Sequence, residues 1–165
     1  MSKKTLYLAN PYGFNRLVAE GPLLEIQGKL EAMGFEVWEP FQRNNQHDRT
    51  DLASFYYQVG QCDKNDVRDC DGVFAITDGS PPDEGVMVEV GLAIAWKRPV
   101  FLYRADTRHC SDTSVYPLNI MLFVGLADTE VWKRYWYTDV TDLDNPDKAL
   151  SLFAAGTPLP GFLND

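Results

Sequence analysis

Asp83-Glu84-Gly85-Val86-Met87-Val88-Glu89-Val90-Gly91-Leu92-Ala93-Ile94-Ala95-Trp96 is the stretch on which the reading of this chain turns. From Gly85 to Trp96 every residue is apolar or glycine except Glu89. An apolar run, Gly72 to Thr77, precedes it across the turn-rich loop Asp78-Gly79-Ser80-Pro81-Pro82, and a second apolar run, Pro99 to Tyr103, follows. Strand, loop, buried helix and strand form the crossover unit of a parallel sheet. In such a sheet the loop after a strand and the start of the next helix border the ligand crevice. Glu89 falls about one turn into that helix. A carboxylate placed there is paired, shifted in pKa or used, because burying it bare costs several kcal/mol.

Working outward, the pattern repeats. Thr5-Leu6-Tyr7-Leu8-Ala9 reads as a first strand, ending at the turn sequence Asn10-Pro11-Tyr12-Gly13-Phe14-Asn15. Leu23, Ile26, Leu30 and Met33 recur at helical spacing, with Gly34 placed to cap the helix end. Glu36 to Glu39 is a second strand, stopped by Pro40, and Gln42 to Asp51 is a polar loop. Leu52 to Asp69 is helical, with Phe55, Val59, Cys62 and Val67 marking its buried side and Asp63, Asp66 and Asp69 another side. Pro117 to Phe123 suggests a short helix, Tyr135 to Val140 a fifth strand, and Pro146 to Ala155 a last helix before a proline- and glycine-rich tail. The expectation is an α/β fold in a single domain over residues 1–165. It is an open five-stranded parallel sheet with helices on both faces, in a flavodoxin-like or Rossmann-like order.

Composition narrows the function. The 165 residues carry 45% hydrophobic and 13% aromatic side chains and a net charge of -9. Nucleic acid and anionic membranes require basic patches, so neither is expected as a partner. The amino-terminal Met1-Ser2-Lys3-Lys4 leads straight into a strand, which reads as no signal peptide, and no apolar run is long enough for a membrane span. Three cysteines without a close-spaced pair read as reduced thiols of a cytoplasmic protein. With His47 and His109 far from any paired-cysteine spacing, no metal is expected, and no cofactor. Gly-x-Gly-x-x-Gly after the first strand and a Gly-Lys-Ser/Thr loop are both missing, which argues against a dinucleotide or nucleoside triphosphate held in those ways. No Gly-x-Ser-x-Gly nucleophile setting is present.

The crevice loops do carry carboxylates: Asp63, Asp83, Glu84 and Glu89. Two carboxyl groups in one site divide roles, one ionised as nucleophile and the other protonated as general acid. That division suits retaining cleavage of a glycosidic bond, where the pair sits about 5 Å apart and a covalent glycosyl ester forms. Asp83 and Glu89 lie six residues apart across a loop-to-helix junction.

Tyr7 on the first strand, Asp63 before the third, Asp83 and Glu89 in Asp-x-Gly-x-x-x-Glu-x-Gly-x-Ala, and Asn119-Ile120-Met121, taken in order, resemble the nucleoside 2-deoxyribosyltransferases. The likeness runs from Thr5 to about Phe123. It implies transfer of 2-deoxyribose between nucleobases through a covalent intermediate. By resemblance Glu89 is the nucleophile at the anomeric carbon, Asp83 exchanges a proton with the base, Asp63 helps hold the nucleoside and the Tyr7 hydroxyl orients Glu89. Asn119 and Met121 match residues donated by a neighbouring subunit, which implies a homo-oligomer of at least two chains whose ligands are deoxynucleosides and free nucleobases. Tyr12 and Phe14 are placed to wall off the 2-position of the sugar and exclude ribose. Asn44, Asn45 and Gln46 could read a base edge. Some members of that family end in an aromatic residue whose carboxylate reaches a neighbour's site, a role not carried over to Gly161-Phe162-Leu163-Asn164-Asp165. Two alternatives stay open: hydrolysis of a deoxynucleoside monophosphate, for which Asn10 to Asn15 offers no glycine-serine phosphate nest, and a non-catalytic nucleoside sensor on the same scaffold.

Overall fold

The strands are apolar on both sides because both sides are covered. In the computed structural model, which describes residues 3–44 and 47–163, β1 (Thr5–Ala9) is buried after its first residue. The chain then runs through α1 (Arg16–Ala19), α2 (Pro22–Ala32), β2 (Glu36–Trp38), α3 (Pro40–Arg43), α4 (Leu52–Asp69), β3 (Gly72–Ile76), α5 (Glu84–Ala95), β4 (Val100–Tyr103), β5 (Trp136–Tyr137) and α6 (Ala149–Ala154), with short 3-10 turns between. All of β3 is buried. The five strands lie in the order β2-β1-β3-β4-β5, and every pairing is parallel. This is the expected open α/β sheet. Its order reverses at β1, so the crevice opens beyond the carboxyl ends of β1 and β3.

Alternation along each strand sorts the side chains into two cores. Leu6, Leu8, Phe74 and Ile76 pack with Leu23, Ile26 and Leu30 of α2 and with Leu150 and Phe153 of α6. Tyr7, Ala9, Val73 and Ala75 face the other way, against Val67 of α4 and Val86, Val90 and Ala93 of α5. Tyr7 is thereby aimed at the side of the sheet that carries α4 and α5. Gly34, at φ +99°, ends the α2 segment in the left-handed region where a side chain would be strained.

Several elements differ from their sequence-based outlines. Pro40 begins α3 rather than opening a loop: proline fits the first helical position, and the Glu39 side chain caps the turn by accepting from the Gln42 amide. The buried stripe expected on α4 shrinks to Val67, while Phe55, Val59 and Cys62 are only partly covered. The amino-terminal half of α4, Leu52 to Gly60, is exposed or only partly covered along its length. Helix α5 is buried on one stripe only, and Val88 on its outer side is 63% exposed. The fifth strand is two residues long, because the chain turns into a 3-10 helix at Val140–Asp142 capped by Asp139. The last helix starts at Ala149, and the tail beyond it docks through a bridge between Leu126 and Phe162. Among the described residues no helix is long and apolar enough to cross a membrane.

At the exit of β1, Asn10 locks the floor of the crevice. Its side-chain amide donates to the Leu8 carbonyl and to Glu39 Oε1, both at 3.0 Å, and its oxygen accepts from the amides of Tyr12 and Gly13. Asn10 and Glu39 are 5% and 2% exposed, so water does not replace these bonds easily. Gly13 meets Phe41 so closely that a Cβ would lie 2.1 Å from the ring. Replacing Asn10 with alanine leaves Oε1 of the buried Glu39 and two backbone amides without partners. We expect a loss of about 2–3 kcal/mol in a denaturant unfolding curve, the cost of orphaning such groups.

Candidate active site

The site begins with how α5 starts. Asp83 is its N-cap, and its Oδ1 accepts from the Val86 amide at 3.0 Å. A Cβ on Gly85 would sit 3.1 Å from that oxygen, so a small residue follows the cap closely. The helical repeat places Glu89 one turn beyond Gly85, on the side that faces the sheet and α4. There the Tyr7 hydroxyl, projected from β1, donates to Glu89 Oε1 at 2.6 Å. Tyr7 is fully buried. Burial pushes the Glu89 pKa up to about 7; the Tyr7 hydrogen bond opposes that rise, and the nearby charges of Asp63 and Asp83 add to it. The Tyr7 hydroxyl is driven far above its ordinary range by burial first, then by the charges of Glu89 and Asp63. It stays a donor at any working pH.

Helix α4 supplies the opposite wall. Asp63 accepts from the Asn44 side chain at 2.8 Å, and its pKa is raised by burial, with the Asn44 bond pulling the other way. One turn on, Arg43 donates to Asp66 at 2.9 Å and lies over the Trp38 ring at 4.4 Å. These two ties strap α3 to α4 and explain the three-residue spacing of Asp63 and Asp66. A cavity of about 520 Å³ lies between them, with Asp63, Asp83, Glu84 and Glu89 on it and Phe14, Phe41, Phe55, Tyr56 and Val59 supplying apolar wall. Phe14 and Phe41 meet edge to face at 4.9 Å. That volume accommodates a nucleoside-sized ligand. Among the described residues no group of three or more His, Cys, Asp or Glu side chains is arranged to hold a metal ion.

Of the residues singled out from sequence, Tyr7, Asp63, Asp83, Glu89 and Phe14 converge on this cavity or on one another. Tyr12 does not line it. The 3-10 turn Tyr12–Phe14 sends the two rings to different sides; Tyr12 packs on the α2 core and its hydroxyl donates to Asp78, so it is not among the residues that line the cavity. Asn119 and Met121 also lie off this chain's own cavity. Asn119 caps a 3-10 turn through the Met121 amide and bonds Asp112, and Met121 is 63% exposed. Asn44 holds Asp63, whereas Asn45 and Gln46 lie outside the described residues. Asn10, Phe41, Arg49, Phe55, Tyr56 and Val59 line the cavity without having been singled out for it. A signal for part of this set was present: Leu52, Phe55, Tyr56 and Tyr57 put apolar bulk around α4 over more than one stripe, which a helix covered on one side does not need.

A buried carboxyl with a raised pKa, oriented by a hydroxyl and flanked by a second carboxyl on one apolar cavity, is equipped to act on a glycosidic bond. The comparisons agree in fold and family. Residues 6–121 match the model of the family described as nucleoside 2-deoxyribosyltransferase. Among curated proteins none matches the chain significantly. A solved structure of 2-deoxyribosyltransferase from Bacillus psychrosaccharolyticus is similar at TM-score 0.70 and 20% identity, covering 96% of this chain and 99% of that one. A 2-desoxiribosyltransferase from Leishmania mexicana is similar at TM-score 0.54 and 21% identity over 72% of this chain and 85% of its own. A conserved protein from Enterococcus faecalis V583 gives TM-score 0.56 at 21% identity, over 67% and 69% of the two chains. At these identities the structural likeness is one of fold, while the family match spans most of the chain: this protein belongs to the nucleoside 2-deoxyribosyltransferase family.

Proposed function

We propose that the protein transfers 2-deoxyribose from one nucleobase to another, with retention, through an ester on Glu89. The observation that carries this reading is the 2.6 Å contact between Tyr7 and Glu89 on a cavity that Asp83 shares. Glu89 in its ionised form attacks the anomeric carbon as the bond to the departing base breaks. Asp83 gives that base a proton; its Oδ1 holds the helix start, and its other oxygen has no hydrogen bond to a described residue. The ester then reacts with a second base, whose proton returns to Asp83, and Glu89 is released. Two displacements at one carbon restore the original configuration. The Tyr7 hydroxyl fixes which Glu89 oxygen is engaged, and the Asn44 bond holds Asp63 toward the sugar. The apolar wall from Phe14 to Val59 limits water, the competing acceptor.

The same reading makes the working unit a homo-oligomer in which Asn119 and Met121 of one chain close the cavity of another. It is supported by the apolar side chains left uncovered beside the cavity (Phe14 and Tyr56), on α5 (Val88) and on the 3-10 turn that carries Met121. A cytoplasmic setting is supported by three cysteines that are all free.

Incubating the protein with a deoxynucleoside and a different free base should yield the new nucleoside. Free deoxyribose alone would mean hydrolysis, and binding without either product would mean a sensor. Glu89→Ala should lower exchange by at least about a thousandfold, the scale on which loss of a covalent nucleophile is felt, with the circular dichroism spectrum unchanged. Wild-type rates in that variant would remove the mechanism.

Because Glu89 must be ionised to attack, the rate at limiting donor should fall on the acid side of a limb near pH 7. Tyr7→Phe deletes the hydrogen bond that holds the Glu89 pKa down, so its acid limb should move to higher pH. A limb that stays put or moves down would show that Tyr7 does not act through Glu89.

Stability should report the same group. The folded pKa of Glu89, about 7, lies above its ordinary 4.5, so the fold prefers the protonated carboxyl. That preference is fully present below pH 4.5 and is lost as pH rises through 7. Glu89→Gln keeps the acceptor for Tyr7 without the charge. It should therefore melt a few degrees higher than the parent at pH 8, where each 1 kcal/mol is worth about 2–4 °C at this size. The gap should close toward pH 4.5.

A further inference from the structure

The cavity is acidic, yet it carries one cation. Asp63, Asp83, Glu84 and Glu89 line it, and among the described residues Arg49 is the basic side chain that joins them. Its guanidinium lies over the Phe55 ring, 5.0 Å from the centroid. It makes no ion pair with any described residue, although the chain is rich in carboxylates. Phe55 stands two turns before Asp63 on α4, roughly 12 Å along the helix axis. Arg49 therefore stands on a part of the apolar wall about two turns of α4 away from Asp63.

A guanidinium that packs over an aromatic ring keeps its N–H donors free for a ligand lying beside that ring. A base lying against the same apolar wall turns its edge toward those donors. The edge that matches is a 6-keto group with N7 beside it, the two-acceptor pair that arginine grips in guanine. A 6-amino group would set donor against donor. A pyrimidine, held with its anomeric carbon at Glu89, has a smaller ring and ends shorter of the fork. A phosphate matches the fork chemically, but four carboxyl groups on the same cavity oppose a second anion, and one exposed arginine does not offset them.

The geometry points to Arg49 as the residue that selects the base, favouring 6-oxopurines over 6-aminopurines, an inference that rests on the base-exchange reading of the site. Deoxyinosine and deoxyadenosine differ at the 6-substituent and the adjoining N1, which makes them the natural probes. Calorimetric titration of the parent with each should give a preference for deoxyinosine of about tenfold, in the range of a good two-point arginine contact. Arg49→Ala should abolish the preference. Arg49→Lys should retain only part of it, since an ammonium has the charge without the fork. Deoxyinosine 5′-monophosphate should bind no more tightly than deoxyinosine.

Melting curves on both variants report folding. Equal affinities in the parent overturn the assignment, as does a preference that survives in a folded Arg49→Ala. Tighter monophosphate binding that depends on Arg49 overturns it in favour of a phosphate site. Exchange between deoxyinosine and a second free base is followed in parallel on the parent. Its absence, beside an Arg49-dependent preference, would sink the exchange reading alone and leave the selectivity standing.

Discussion

The contact between Tyr7 and Glu89 is the constraint around which the rest is arranged. A carboxyl group inside an apolar helix is unstable unless something compensates it. Here one hydroxyl from the neighbouring strand compensates part of the burial and leaves the rest as a raised pKa. For the two groups to meet, β1 must lie beside β3, α5 must follow β3 across a right-sized loop, and Tyr7 must point to the α5 side of the sheet. Strand order and alternation together provide all three.

Around that contact the carboxyl groups are held by well-packed elements, and the apolar side chains of the cavity are less covered. Glu89 lies on α5 and Asp83 caps its start, and the helix packs on β1, β3 and β4 through Val86, Val90 and Ala93. Asn10 and Glu39 tie the exits of β1 and β2 into one buried network beneath the cavity. By contrast, Arg49 and Tyr56 are exposed and Phe55 is only partly covered. Their positions depend on contacts with one another and with whatever covers them.

The periodic parts of the fold were open to reading from sequence. Strands with both faces apolar, a helix closed by Gly34 and an oily helix interrupted by Glu89 each follow from local pattern and burial energetics. The carboxyl set was legible for the same reason, since charge in an apolar run stands out. Tyr12 was not: neighbouring residues in a 3-10 turn diverge, and only the position of Asp78 across the crevice shows which ring turned away. Phe55 and Val59 looked like core because their spacing is helical, and spacing does not reveal where a sheet stops.

By itself the sequence determined the layer architecture, the order of elements along the chain and the chemical character of the groups near Glu89, because these depend on patterns within a few residues of each other. Tertiary structure alone decided that Tyr7 reaches Glu89 across 82 positions, that Asn44 holds Asp63 and that Arg49 stands over Phe55. Those meetings depend on strand order and on how far each helix extends past the sheet, quantities to which no single segment of the chain is sensitive.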